Sequence, residues 1–259
     1  MIHNIIKDTP TRLFIILGGF FIANAIIAEI IGVKIFSLED TLNIPRADFT
    51  LLNEPHLSFS LTVGVLPWPV VFVLTDIVNE YYGVKGVRFL SVLTAALISF
   101  AFFIFYFAIK ASPDTAWWLT SYSASGVPDM QAAFSAIFGQ GMNIIIGSLT
   151  AFLIGQIADA FVFRRIKRLT GEKGIWMRAT LSTLISQLID SFVVTYIAFY
   201  LFRGVSIGQC TAWALTSYTY KFIIAILFTP VVYLIHWGVE KYLGKNVARE
   251  MKESAMKGY

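Results

Sequence analysis

The chain has 259 residues, of which 57% are hydrophobic and only 14% charged, with a net charge of +4 and a mean hydropathy of +0.71. Ordinary soluble domains carry roughly a quarter charged residues, so these values exclude a water-solvated globule. The single cysteine, Cys210, excludes an internal disulfide framework.

The apolar residues come in runs of about 20, the length a helix needs to cross ~30 Å of hydrocarbon. A membrane barrel strand would instead alternate apolar and polar over about ten residues. The predicted fold is therefore an all-α integral membrane protein, a bundle of six transmembrane helices forming one domain over residues 1–259. The first span is Leu13 to Phe36, holding Asn24, Glu29 and Lys34; it follows basic Lys7 and Arg12 but is too long, and lacks the cleavage site, for a signal peptide. A polar, acidic outer loop, Ser37 to Phe59, leads to the second span, Ser60 to Asn79. That span ends in Thr75, Asp76, Asn79 and Glu80, and Pro67 and Pro69 are expected to bend its outer half. The third span is Arg88 to Ile109. The outer segment Ala111 to Gln140 carries Trp117 and Trp118 and a short surface helix from Asp129 to Phe138. The fourth span, Gly141 to Phe163, holds Gln156 and Asp159, and a turn is expected at Gly171 to Gly174. The fifth, Arg178 to Phe202, holds Gln187 and Asp190; the sixth, Thr216 to Trp237, holds Lys221, and a tail covers 238–259.

Of the 20 Lys and Arg residues, only Arg46, Lys110 and Arg203 fall on the outer side of this layout, with Lys34 and Lys221 in or at the edge of spans. The remainder sit in the N-terminus, the 80–88 and 164–178 connections and the tail. Basic residues are retained inside, which predicts that both termini are cytoplasmic. These loops account for the net charge without a nucleic-acid partner.

An ionised side chain at the centre of a span costs roughly 2.5–3.5 kcal/mol on the insertion scale, so each intramembrane polar residue needs a reason. The fourth and fifth spans share a pattern, LIxQxxDxFV, at Leu153 to Val162 and Leu184 to Val193. It places Gln and Asp three apart on one helix face. Consecutive spans run in opposite directions, so the two faces are expected to converge on one cavity, with Asp190 about one turn, ~6 Å, further from the connecting turn than Asp159. Asp76 and Glu80, i and i+4 near the cytoplasmic end of the second span, are placed to meet Asp159 or the basic loop. The blander reading is interhelical hydrogen bonding for the two QxxD pairs, with Asp76 and Glu80 facing Lys85 and Arg88. The histidines His3, His56 and His236 are scattered, and neither an HExxH pattern nor a P-loop is present, so no metal, cofactor or ATP site is expected.

These residues resemble the queuosine precursor transporter family, also called the vitamin uptake transporter family. The resemblance rests on LPWPVVFVLTDIVNEYYGVKGVR, Leu66 to Arg88; on SLTAFLIGQIADAFVFRRIK, Ser148 to Lys167; and on MRATLSTLISQLIDSFVVTYIAF, Met177 to Phe199. Asn24 and Lys34 fit the first span more loosely, and Lys221, Thr229 and Pro230 fit the last. Glu29 departs from the pattern, where a neutral residue is expected. The resemblance implies uptake of 7-cyano- and 7-aminomethyl-7-deazaguanine across the bacterial inner membrane by a secondary transporter or facilitator. Lipid and a small-molecule deazaguanine are then the partners, and a homodimer is left open. The implied binding set is Gln156, Asp159, Gln187, Asp190, Asp76, Glu80, Asn79, Asn24 and Lys221. A carboxylate accepts from the ring N–H and amine, and a glutamine amide satisfies the ring carbonyl. The rival readings are a substrate-binding component of an ATP-energised transporter and an intramembrane enzyme using Asp76 and Glu80 as acid and base.

Overall fold

The computed structural model describes residues 7–139, 142–170 and 175–257. The expected turn at Gly171 to Gly174 and the first residue of the expected fourth span, Gly141, lie outside them.

Helix α1, Thr9–Ile31, starts where Asp8 accepts a hydrogen bond from the Thr11 amide, and a proline in its first turn has no N–H to waste there. The Thr11 hydroxyl and then its amide hold the Asp8 carboxyl below the usual carboxylate range. Leu13, Leu17, Phe21 and Ala25 recur every four residues and form the buried stripe, while Ile16, Phe20 and Ile27 face outward. The helix stops five residues before its expected end. Ile35–Ser37 (β1) pairs antiparallel with Ser60–Thr62 (β4), Ile35 opposite Thr62 and Ser37 opposite Ser60. Between them lie the short helix α2, Leu38–Thr41, and a second ribbon, Phe49–Leu51 (β2) with Glu54–Leu57 (β3). The bundle thus carries two small antiparallel ribbons at one end, an addition to the all-α expectation.

The expected second and third spans form a single helical stretch, α3, Trp68–Lys110. It begins eight residues later than expected, because Ser60–Thr62 is strand and Val63–Val65 a 3-10 turn. Pro67 is the N-cap and Pro69 lies in the first turn, so the prolines start this helix and do not bend it. The break comes at Gly83, with φ 69° and ψ −175°, and there the chain reverses. On one side Thr75 bonds Gln156 at 2.9 Å and Asn79 donates to the Ala160 carbonyl at 3.2 Å. On the other, Val87 and Ser91 line a crevice with the same Gln156 and Ala160. Residues 68–82 therefore run antiparallel to 84–110. Contacts with α1 agree: Asn24 donates to the Pro67 carbonyl at 2.7 Å and the Tyr82 hydroxyl to that of Pro10 at 2.7 Å, so the first arm runs against α1, while Gly86 faces Phe14 and Leu90 faces Gly18, so the second runs with it.

The Gly83 dihedrals are open almost only to glycine, and any Cβ there would lie 3.2 Å from the Ala255 carbonyl oxygen. Gly83→Ala is expected to destabilise the protein by about 1–3 kcal/mol, read as a lower thermal midpoint in detergent. An unchanged midpoint would mean that the reversal does not depend on this backbone conformation.

Helix α4, Met130–Phe138, is the expected surface helix, capped by Asp129. Helix α5, Met142–Thr170, runs two turns beyond the expected end at Phe163. Helix α6, Ile175–Thr195, continues as a π-helical turn, Tyr196–Leu201. The expected sixth span is two helices, α7 (Ile207–Leu227) and α8 (Thr229–Leu243), bent by 46°; a proline in the first turn of α8 marks the break. The tail forms a further helix, α9, Lys245–Lys257. It folds back so that Ala255 covers Gly83, Lys252 ion-pairs with Glu240, and Ala248 is buried. Among the described residues, four helical stretches are each long and apolar enough to cross a membrane, and the bent α7–α8 pair makes a fifth. Phe100, Phe103, Ile104 and Phe107 lie exposed along α3, as a lipid-facing surface requires. The chain is a helical, multi-pass membrane protein.

Candidate functional site

A cavity of about 690 Å³ opens at the end of the bundle that carries the ribbons, within the range of small-molecule sites. Its rim includes Ser60 and Thr62 of β4 and Arg203; its walls include Trp68, Ser148, Phe199 and Trp213. Phe199 belongs to the π-helical turn, the irregular geometry that recurs at functional sites. Asp190 of α6 and Lys221 of α7 line it too, joined as an ion pair with Nζ 2.5 Å from Oδ2. A second void of about 30 Å³ is bordered by Asp76, Thr183, Tyr220 and again Lys221.

Below this pair a column of buried polar groups runs toward the other end, where α9 lies. Gln187 is 2% exposed. Gln156 accepts from the Thr75 hydroxyl. Asp159 accepts from Ser186 at 3.3 Å, and Asp76 is 4% exposed. At the base Glu80 meets two cations, Arg178 at 2.8 Å and Lys167 at 3.1 Å, all three side chains 4% exposed or less. Lys167 also donates to the Glu80 carbonyl at 2.8 Å, and Arg178 lies over the Phe163 ring, 5.7 Å from its centroid. Carboxylates in a dry interior need such partners, since an unpaired charge there costs several kcal/mol.

Several expectations need correction. The two QxxD faces do not open together on the cavity. Asp190 lines it, but Gln156, Asp159 and Gln187 are sealed, because α5 and α6 pack closely: the Cα of Gly147 faces the Val194 carbonyl and that of Gly155 the Asp190 side chain. Asp190 is thereby level with Gly155, one turn from Asp159, the offset expected from the sequence. Glu80 is paired with Lys167 and Arg178 in place of Lys85 and Arg88. Asn79 and Asn24 satisfy backbone carbonyls of Ala160 and Pro67, positions that hold helices together. Glu29, where the resemblance leads one to expect a neutral residue, is buried with the Ser148 hydroxyl 2.5 Å from its Oε1, just behind the cavity wall.

Sequence reasoning put the basic loop within reach of Glu80 but did not single out Arg178 and Lys167 as buried partners, because both lie in the basic stretches that a charge count assigns to loops. It also missed Ser148, Arg203 and Trp213 as cavity walls. Ser148 had a signal: it lies two turns before Gln156 on the same helix.

A family model described as "Putative vitamin uptake transporter" matches residues 62–235, a stretch that holds every candidate residue except Asn24. A "Probable queuosine precursor transporter" of Haemophilus influenzae is 28% identical over 87% of this chain and 88% of its own length. One of the same name from Bacillus subtilis is 28% identical over 66% of this chain and 70% of its own. The "Queuosine precursor transporter" of Escherichia coli is 26% identical over 68% and 73%. No solved structure matches.

Proposed function

Since the chain belongs to the vitamin uptake transporter family, we propose that it takes up the 7-deazaguanine precursors of queuosine across the bacterial inner membrane as a secondary transporter or facilitator. The observation that carries this reading is the Asp190–Lys221 pair on the wall of an open cavity. A guanine-like ring presents an N–H and an amine to a carboxylate and a carbonyl to an ammonium, while Trp68, Phe199 and Trp213 offer flat apolar surface. Substrate binding exchanges the ion pair for these bonds, which links occupancy to the packing of α6 against α7.

In the proposed topology the chain crosses the membrane six times, with the 68–82 and 84–110 halves of α3 as separate crossings and α7–α8 as one bent crossing. Both termini are cytoplasmic, because the end bearing Lys7, Arg12, Arg164, Arg165 and α9 is the basic one. The cavity then faces outward, and the Glu80–Arg178–Lys167 cluster with α9 closes the cytoplasmic side. Transport requires that cluster to open as the outer cavity closes.

The test uses a strain unable to make the precursor. Expression of this chain is expected to restore queuosine in transfer RNA when precursor is supplied at low concentration, and an inserted chain that restores none would overturn the substrate. Purified protein in liposomes should take up labelled precursor unaided; uptake only with an added ATP-hydrolysing module would replace the secondary-transport reading.

A further inference from the structure

Asp76 and Asp159 have no role left to them once Asp190 and Lys221 are given the substrate. Both are buried, at 4% and 1% exposure. Thr75–Gln156 and Asn79–Ala160 fix the register of the two helices that carry them, which sets the two carboxyl groups within each other's field. Among the described residues, one oxygen of each, Asp76 Oδ1 and Asp159 Oδ2, has no hydrogen-bond donor, and neither does the nearby Gln187 Oε1. Glu80, one turn further along the same helix, is flanked by two cations. Among the described residues the bundle therefore sets two cations against one buried acid and ion-pairs neither of the other two.

We propose that the Asp76–Asp159 pair is a proton site, loaded from the large cavity through Lys221 and the small void, and that it couples uptake to the proton gradient. The inference rests on the transporter reading above. A proton on either carboxyl group converts an acceptor-only oxygen into a donor and removes a charge from hydrocarbon. The route is continuous, since Lys221 borders both the open cavity and the void, and Asp76 borders the void. A void of about 30 Å³ has room for a water molecule to carry the proton across. The groups facing Asp76 suit proton exchange. Asp159 on α5 and Glu80 on its own helix repel its charge, Arg178 on α6, engaged with Glu80, attracts it, and Lys221 on α7, paired with Asp190, borders the same small void. On α8, His236 sits 3.0 Å from the Tyr81 hydroxyl, and on α9 Lys252 pairs with Glu240. A metal ion is a poorer fit, since among the described residues no three His, Cys, Asp or Glu side chains cluster and alkali or alkaline-earth ions take six or more oxygens. The proton enters from the outer side with the substrate and leaves on the cytoplasmic side once the Glu80 cluster opens.

The test is wild-type protein in liposomes with labelled 7-cyano-7-deazaguanine and an internal pH dye. An acid-outside gradient is expected to drive accumulation by about tenfold per pH unit for one proton per substrate, each tenfold step being the same increment of free energy, and a protonophore should abolish it. Substrate added without a gradient should acidify the lumen. Asp76→Asn and Asp159→Asn should keep exchange of internal for external precursor but lose the gradient-driven accumulation. Accumulation indifferent to pH, accumulation driven by sodium, no lumenal acidification, or Asn variants that still accumulate would each overturn the proton site while leaving transport intact. Absence of exchange in the wild type would overturn the transporter reading itself. The acidification measurement needs no variant, so poor insertion of either Asn form leaves the proposal testable.

Discussion

Glu80→Gln is expected to be the most damaging single change away from the cavity, costing about 3–5 kcal/mol, because it leaves Arg178 and Lys167 buried with their counter-charge removed. The check is the thermal midpoint of the detergent-solubilised protein, followed by fluorescence on size exclusion. Glu80→Gln combined with Lys167→Met and Arg178→Met should recover much of the loss, since replacing a whole buried ion cluster by apolar groups is often neutral. A single variant as stable as wild type would show that water reaches the cluster and solvates the two cations. The same variant carries a functional reading. If the cluster closes the cytoplasmic side, whatever protein survives should leak precursor outward faster than wild type.

Asp190→Asn comes second. It removes the charged acceptor on the cavity wall and leaves Lys221 without its partner at 2.5 Å. Loss of a charge-assisted hydrogen bond is worth about 1.5–3 kcal/mol, so precursor binding should weaken roughly 10- to 100-fold, read as the concentration giving half-maximal uptake. Asp190 is partly open to the cavity, so the variant is expected to insert and to melt near the wild-type midpoint. Gln187→Ala separates site from support: Gln187 is sealed below the cavity, so its loss should act through the packing of α5 on α6 and touch affinity far less. Equal loss of affinity in the two variants would place Gln187 at the substrate after all.

The helices were legible where one face decides burial. The first, fourth and fifth spans have the apolar period and length that set their position, and the QxxD pairs fix which face turns inward. The one-turn offset of Asp190 from Asp159 followed from spacing alone. What could not be read was the choice of partner. Arg178 and Lys167 sit at helix ends where a charge count assigns them to loops, and only the packing of α5 and α6 against α3 turns them onto Glu80. The ribbons escaped for a different reason: three-residue strands such as Ile35–Ser37 carry too few alternations to register as strands. At Pro67 and Pro69 the chemistry was right and the address wrong, because a proline that bends a helix and one that begins it look alike until the N-cap is placed.

The arm of α3 that precedes Gly83, residues 68–82, is 15 residues by its bounds, only about 22 Å of helix at 1.5 Å per residue, against ~30 Å of hydrocarbon. It carries Thr75, Asp76, Asn79 and Glu80 within that short length, too polar a segment to partition into lipid unaided. The arm after Gly83 is long and apolar. In the six-crossing topology proposed above, the two enter the bilayer together as a helical hairpin, the second carrying the first. In that topology, with the Gly83 end of the first arm at the cytoplasmic face, the shortfall is about a quarter of the membrane's oily depth, which a molecule resting beside Trp68 would have passed through water.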